Sequence, residues 1–219
     1  MRKRLSREES RELTTKRLLD AAERLIAKKG LNATSVEDIA AAAGYSRGAF
    51  YSNFDSKNQL FIETLRRDHQ QAHALFTALY DDTKTFEQVL ARLRDMYSQQ
   101  YRDDKSLMNW SEARILAARD REFRARLSVV DAERHGDINV LVEYVFRRAG
   151  ITPPAPVSLM AMGFASLFEG VKMTMLSAPT GISPEDAETL LNLFIESFIP
   201  HPNEQDAGQS GPSAANPVR

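Results

Sequence analysis

The 219-residue chain has no cysteine, a single tryptophan and a formal net charge of only -1. The missing cysteine excludes disulfides and thiolate-bound metals. No secretory apolar region follows the basic start, and no uninterrupted apolar stretch reaches the ~18 residues that span a bilayer. The longest, near Val157 to Phe168, is cut by Glu169 and Lys172. A soluble, cytoplasmic protein is therefore expected, with no membrane partner. The near-zero charge argues against indiscriminate coating of nucleic acid. There is no internal repeat, no sustained period of two, no glycine-rich phosphate loop, no HExxH and no nucleophile-base pair at a recognisable spacing. The expectation is an all-α protein that is not an enzyme, with no catalytic residue, cofactor or metal.

What is present is concentrated in residues 34–57, TSVEDIAAAAGYSRGAFYSNFDSK. Thr34 with Glu37 three residues later has the spacing of a capping box, so a helix is predicted to start there. Val36, Ile39, Ala40 and Ala43 recur on one helical face, and Gly44 is a suitable stop. Ser46 is a good N-cap for a second helix beginning at Arg47, with Tyr45 and Phe50 at the positions of a hydrophobic staple. Phe50 and Phe54 are expected inward, which leaves Arg47, Gly48, Ala49, Tyr51, Ser52 and Asn53 for flank and solvent. Ser56 with Gln59 opens the next helix.

Two short helices joined by a tight turn form a helix-turn-helix, whose second helix enters the DNA major groove N-terminus first. Arginine reads guanine O6 and N7, serine and asparagine contact base or phosphate, and an alanine methyl meets the thymine methyl. Arg47 sits in a first helical turn, against the local dipole, a placement that favours an external anion. Gly48 and Ala49 would let backbone and DNA approach closely. A tyrosine such as Tyr51 serves about as often as a half-buried core residue as it does as a phosphate ligand.

From about Thr15 to about Leu65, these residues resemble the DNA-binding domain of TetR-type transcriptional regulators. The resemblance implies contacts to bases and backbone from Thr34 or Ser35, Tyr45, Ser46, Arg47, Gly48, Ala49, Tyr51, Asn53 and Lys57, with Lys57 opening the fourth helix at a phosphate. Asn53 stands where many members have histidine. The function implied is a dimeric, ligand-responsive regulator. It would be a repressor released from a palindromic operator by a small apolar or amphipathic effector, or else an activator using the same contacts. A helical carrier or enzyme that keeps the domain as scaffold is the alternative of a different class.

Charge is asymmetric along the chain. Through Lys57 there are 12 Lys and Arg against 8 Asp and Glu, net +4, and the remainder is net -5. Residues 1–13 read as a mobile basic arm, either solubilising or DNA-binding. Residues 14–58 read as the helix-turn-helix domain, 59–200 as a helical effector-binding and dimerisation domain, and 201–219 as a disordered tail rich in Gly, Pro, Ser and Ala.

Apolar periodicity predicts about nine helices in all, including helices to about Tyr80, from Phe86, from about Ser106 to Ala118, and from about Arg121 to Ala149. Two more follow, over about 155–177 and 184–199. Phe76, Tyr97, Tyr101, Met108, Trp110, Phe123, Tyr144 and Phe168 are pocket-lining residues or plain core, with Glu112, Arg114, Arg134 and Glu169 available for polarity. His69 and His73 share a helical face, but no third metal ligand accompanies them. Gly163, Ser166, Gly170 and Thr174 form a small-residue stripe; with Leu191, Phe194 and Phe198 they resemble the family's four-helix homodimer interface. The two-fold symmetry implied would suit a palindromic double-stranded DNA site.

Overall fold

A computed structural model describes residues 6–100, 104–178 and 181–198, with side chains for all of these except 97–100 and 198. Tyr101 and the tail call at 201–219 lie outside the described residues, as do the side chains of Tyr97 and Phe198. Among the described residues the chain forms nine α-helices and no strand: α1 (Arg7–Lys29), α2 (Val36–Ala43), α3 (Arg47–Tyr51), α4 (Lys57–Thr77), α5 (Phe86–Gln100), α6 (Asp104–Arg119), α7 (Arg121–Ala149), α8 (Val157–Ser177) and α9 (Pro184–Phe198).

The first helix corrects the expected arm. It begins at Arg7, because Ser6 and Glu9 form a capping box: Ser6 Oγ accepts from the Glu9 amide at 3.1 Å, and the Glu9 carboxylate accepts from the Ser6 amide at 2.6 Å. Glu8 and Glu9 in the first turn and Lys28 and Lys29 in the last complement the helix dipole. Leu18, Ala21, Ala22 and Ile26 are its buried stripe.

That stripe belongs to a core that does not stop at residue 58. Ile39, Phe50, Phe54, Phe61 and Leu65 pack there together with Trp110 and Ala113 of α6 and Phe123, Leu127 and Val130 of α7. A second core, around Phe76, Leu93, Ile138, Leu141, Val145, Ala161 and Ala165, joins α4, α5, α7 and α8. α4, α6 and α7 thus link the N-terminal helices to the larger bundle through shared apolar packing, the main favourable contribution to folding.

α8 is long and apolar enough, on length and composition alone, to cross a membrane, which corrects the expectation that no segment would be. Averaged along the helix, Glu169 and Lys172 do not outweigh the surrounding Leu, Met, Phe and Val. The small-residue stripe of α8, Gly163, Ser166, Gly170 and Thr174, is exposed, and so are Leu159 and Met162 of α8 and Leu190 and Leu193 of α9. Leu191 departs from the expected interface set: it is buried inside its own subunit, because α9 turns that side toward the bundle. Phe194 is half-buried, with its ring 6.4 Å from that of Phe164.

Candidate nucleic-acid interface and internal cavity

The cap of α2 is one residue later than the spacing suggested. Ser35 Oγ accepts from the Asp38 amide, and Asp38 Oδ2 accepts from the Ser35 amide, both at 3.0 Å. Lys29 Nζ, 2.7 Å away, is the largest cause holding the Asp38 carboxyl down to about 2, and the Ser35 amide and hydroxyl add to it. Thr34, one position earlier, is fully buried and donates its hydroxyl to the Gly30 carbonyl at 2.7 Å. Its side chain is therefore a strut under the α1–α2 turn and not a surface contact. Both residue pairs fit a capping box by type, and only the three-dimensional turn chooses between them.

α2 ends at Gly44, whose φ of 78° lies in the left-handed region while a Cβ there would meet nothing within 4 Å. Conformation, not space, requires the glycine. α3 then starts from Ser46, whose hydroxyl accepts from the Ala49 amide at 3.3 Å. Phe50 and Phe54 face inward as expected, and Tyr45 packs against the same core. The outer side carries Ser46, Arg47, Gly48 and Tyr51, all exposed, with Ala49 half-buried at the edge. Arg47 Nη1 is 2.9 Å from Glu37 of α2, and its guanidinium lies 5.5 Å from the Tyr51 ring centre. A hypothetical Cβ on Gly48 would approach only Ser46 Oγ, at 3.7 Å, so nothing inside the protein demands a glycine at that position. Arg17 of α1 lies over the Tyr45 ring at 6.0 Å, a second cation beside the turn that local sequence spacing does not reveal.

Two other predicted contacts are used internally. Asn53 Nδ2 donates to the Ala49 carbonyl at 2.7 Å, and its Oδ1 accepts from Thr15 of α1 at 3.1 Å. The amide is thus a tie between α3 and α1, which corrects its reading as a phosphate ligand. Lys57 Nζ donates to the carbonyls of Leu31 and Thr34 at 2.7 and 2.8 Å, closing the turn before α2, and partial burial pulls its pKa below the ordinary lysine value.

A cavity of about 220 Å³ lies between α4, α6, α7 and α8. Of the expected lining, Phe76, Trp110 and Phe168 are there. Met108 instead points outward at 40% exposure. Phe123 stacks on Phe61 in the first core, 5.9 Å between ring centres. The Tyr144 hydroxyl holds the α4–α5 turn, donating to the Asp81 carbonyl at 3.1 Å and accepting from its amide at 3.0 Å. These residues share helical spacing with true lining residues, and only helix rotation separates them.

The polar wall was less legible. Asp68 Oδ2 accepts from Trp110 Nε1 at 2.7 Å and from Ser106 Oγ at 2.9 Å. Arg134 sits 4.8 Å from the Trp110 ring centre and, like Arg114, pairs with Glu169. The fourfold spacing of Asp68, Ala72 and Phe76 was the available signal, because it puts all three on one face of α4. His73 Nδ1 is 2.8 Å from Asp137 and His69 Nε2 is 3.6 Å from it.

The end of α6 touches the N-terminal helices. Glu112 Oε1 accepts from the Leu31 amide at 2.9 Å, and Asn109 Nδ2 donates to the Glu23 carbonyl at 3.2 Å. Ser106, Leu107 and Trp110 of the same helix line the cavity. On α4, Arg67 bonds Asp20 and Glu23 of α1, each at 2.6 Å.

Residues 18–64 match the model of the bacterial regulatory proteins of the tetR family. Over 184 residues the chain is 30% identical to the HTH-type transcriptional regulator BetI of Rhizobium meliloti, covering 80% of this chain and 84% of that one. It is 53% identical to the HTH-type transcriptional repressor KstR2 of Rhodococcus jostii, but over 49 residues only, 22% of this chain and 24% of that relative's length. Among solved structures, a transcriptional regulator from Saccharomonospora viridis in complex with choline superposes with a TM-score of 0.69 at 22% identity, covering 84% of this chain and 96% of that one, which is a likeness of fold.

Proposed function

Because the chain belongs to the tetR family of bacterial regulatory proteins and is a transcriptional regulator, we propose that it is a cytoplasmic homodimer that represses transcription from a palindromic operator until a small apolar or amphipathic effector releases it. The observation that carries the reading is α3, with Phe50 fully buried on one side and Arg47, Gly48 and Tyr51 exposed on the other. Arg47 donates to a base edge, with Gly48 and Ala49 allowing close approach. Ser35, Tyr45, Ser46 and Tyr51 contact the backbone. Lys57 has one N–H beyond the two that carbonyls take, and it directs that N–H at a phosphate.

The exposed apolar surface of α8 and α9, including Leu159, Met162, Leu190 and Leu193, supports dimerisation by a second copy. Two α3 helices related by a two-fold axis would read half-sites about one helical turn apart. Release works through α6, since one helix carries both cavity wall and the contacts to α1 and Leu31. An effector that prefers the arrangement incompatible with the operator weakens DNA binding by its own ratio of affinities.

Selection of duplexes from random DNA tests the reading. Enrichment of a short palindrome, with binding lost in Arg47→Ala and weakened by salt, is the expected result. If no sequence is enriched, the helical carrier becomes the better account. Deleting the gene then separates repressor from activator: target expression rises for a repressor and falls for an activator.

A further inference from the structure

The charges around the cavity are unevenly matched. Glu169 is held by two arginines, Arg114 and Arg134. Asp68, across the cavity on α4, receives hydrogen bonds only from the neutral donors Trp110 and Ser106, and among the described residues no ion pair reaches it. A half-buried carboxylate is thus left without a cation on a wall shared with the rings of Phe76, Trp110, Phe164 and Phe168.

Filling the cavity strips water from that carboxylate, and the consequence depends on the ligand's charge. A neutral ligand leaves Asp68 desolvated and uncompensated. An anion adds a second negative charge beside it and must compete with Glu169 for arginines already engaged. A cation meets the unmatched charge, and its carbon surface is favoured against aromatic faces. The volume of about 220 Å³ is below the ~300–1,000 Å³ of drug-sized sites and sets a small size limit.

We propose that this cavity selects a small organic ammonium compound, its charged nitrogen held by Asp68 and its alkyl or aryl surface packed on Phe76, Phe164 and Phe168. The inference rests on the effector role of the cavity proposed above, and names the chemistry of that effector.

The single tryptophan of the chain, Trp110, is in the cavity wall and hydrogen-bonded to Asp68, so its fluorescence reports on the site. The full-length protein is titrated at constant ionic strength with choline, benzyltrimethylammonium, the uncharged choline isostere dimethylbutanol, and pivalate. Saturable change with at least one of the two ammonium compounds is expected, with the isostere and the carboxylate weaker by roughly tenfold or more. Asp68→Asn, which keeps an acceptor for Trp110 and Ser106, should lose a similar factor for the cation, and Asp68→Glu should recover part of it. The proposal is overturned if neither ammonium compound binds, if the isostere or pivalate binds as well, or if Asp68→Asn binds the cation like the wild type. The wild-type comparison needs no variant to fold. Operator affinity is read in parallel. Cation binding that leaves it unchanged supports the ligand class and removes the effector role. Release by the isostere with none by the cation keeps the effector role and overturns the ligand class.

Discussion

Arg47 Nη1 lies 2.9 Å from Glu37 Oε1, so the side chain best suited to reading a base is engaged by the preceding helix before DNA arrives. Both groups are largely exposed, and such pairs are worth about 0–1 kcal/mol. Glu37 therefore restrains Arg47 without locking it, and it cancels a positive charge that would attract any phosphate. Replacing Glu37 with Ala should raise affinity for non-cognate duplex a few-fold and steepen the salt dependence by about one in log-log slope. Arg47→Ala should cost ~1–3 kcal/mol with the cognate site and little with random DNA. Fluorescence anisotropy over a salt series measures both, and an unchanged slope in Glu37→Ala would remove the restraint role.

Gly48 offers a separation of folding from binding. Inside the protein a Cβ would make only an ordinary contact with Ser46 Oγ, and alanine is the better helix former by ~0.8–1.0 kcal/mol. Gly48→Ala should melt at or above the wild-type temperature while binding operator more weakly. Unchanged operator affinity would show that α3 does not approach DNA closely at this point.

Glu112 joins α6 to the α1–α2 turn through the Leu31 amide. Glu112→Ala leaves that amide without its partner, at a cost of ~1–3 kcal/mol, whereas Glu112→Gln keeps an acceptor. In Glu112→Ala the cavity should still bind ligand, with the operator response reduced; Glu112→Gln should stay close to wild type. Paired ligand and DNA titrations read the coupling, and an intact response in Glu112→Ala would place transmission elsewhere.

The cap of α2 predicts a pH signature. Asp38 titrates at about 2, below its ordinary 3.8, so its contribution is present above pH ~4 and is lost as pH falls through about 2. Removing the first cause with Lys29→Met should move its midpoint up toward 3.8 in a carboxyl-detected NMR titration. A midpoint unmoved from about 2 would leave Ser35 as the sole cause.

The apolar faces of α8 and α9 predict assembly. Leu193 is 59% exposed, so Leu193→Glu should leave the fold intact and convert dimer to monomer in sedimentation equilibrium. A dimer of unchanged stability would place the interface away from this face of α9.

The helix-turn-helix was readable because each of its parts is local: Gly44, Ser46, Phe50 and Phe54 do in space what their spacing implies. Failures came where two local choices were equally good, as with Thr34 and Ser35, or where a partner was distant in sequence. Asn53 finds Thr15, and Lys57 finds the Leu31 and Thr34 carbonyls, across gaps that no pattern of period 3.6 encodes. The cavity was half legible for the same reason. Periodicity shows that Phe76, Phe123 and Tyr144 are buried, but which core receives each depends on how α4 and α7 are rotated against their neighbours. Ser6 was overlooked because its cap lies in a charged run without apolar period.

The contact between Glu112 and residue 31 is made to a peptide N–H, which every amino acid except proline supplies. Residue 31 can therefore change its side chain without losing the connection, while residue 112 must keep a carboxylate or amide of the right length. The joint is permissive on the half that reads DNA and exacting on the half that senses, so the recognition surface is free to diversify its operator while the transmission to it is retained.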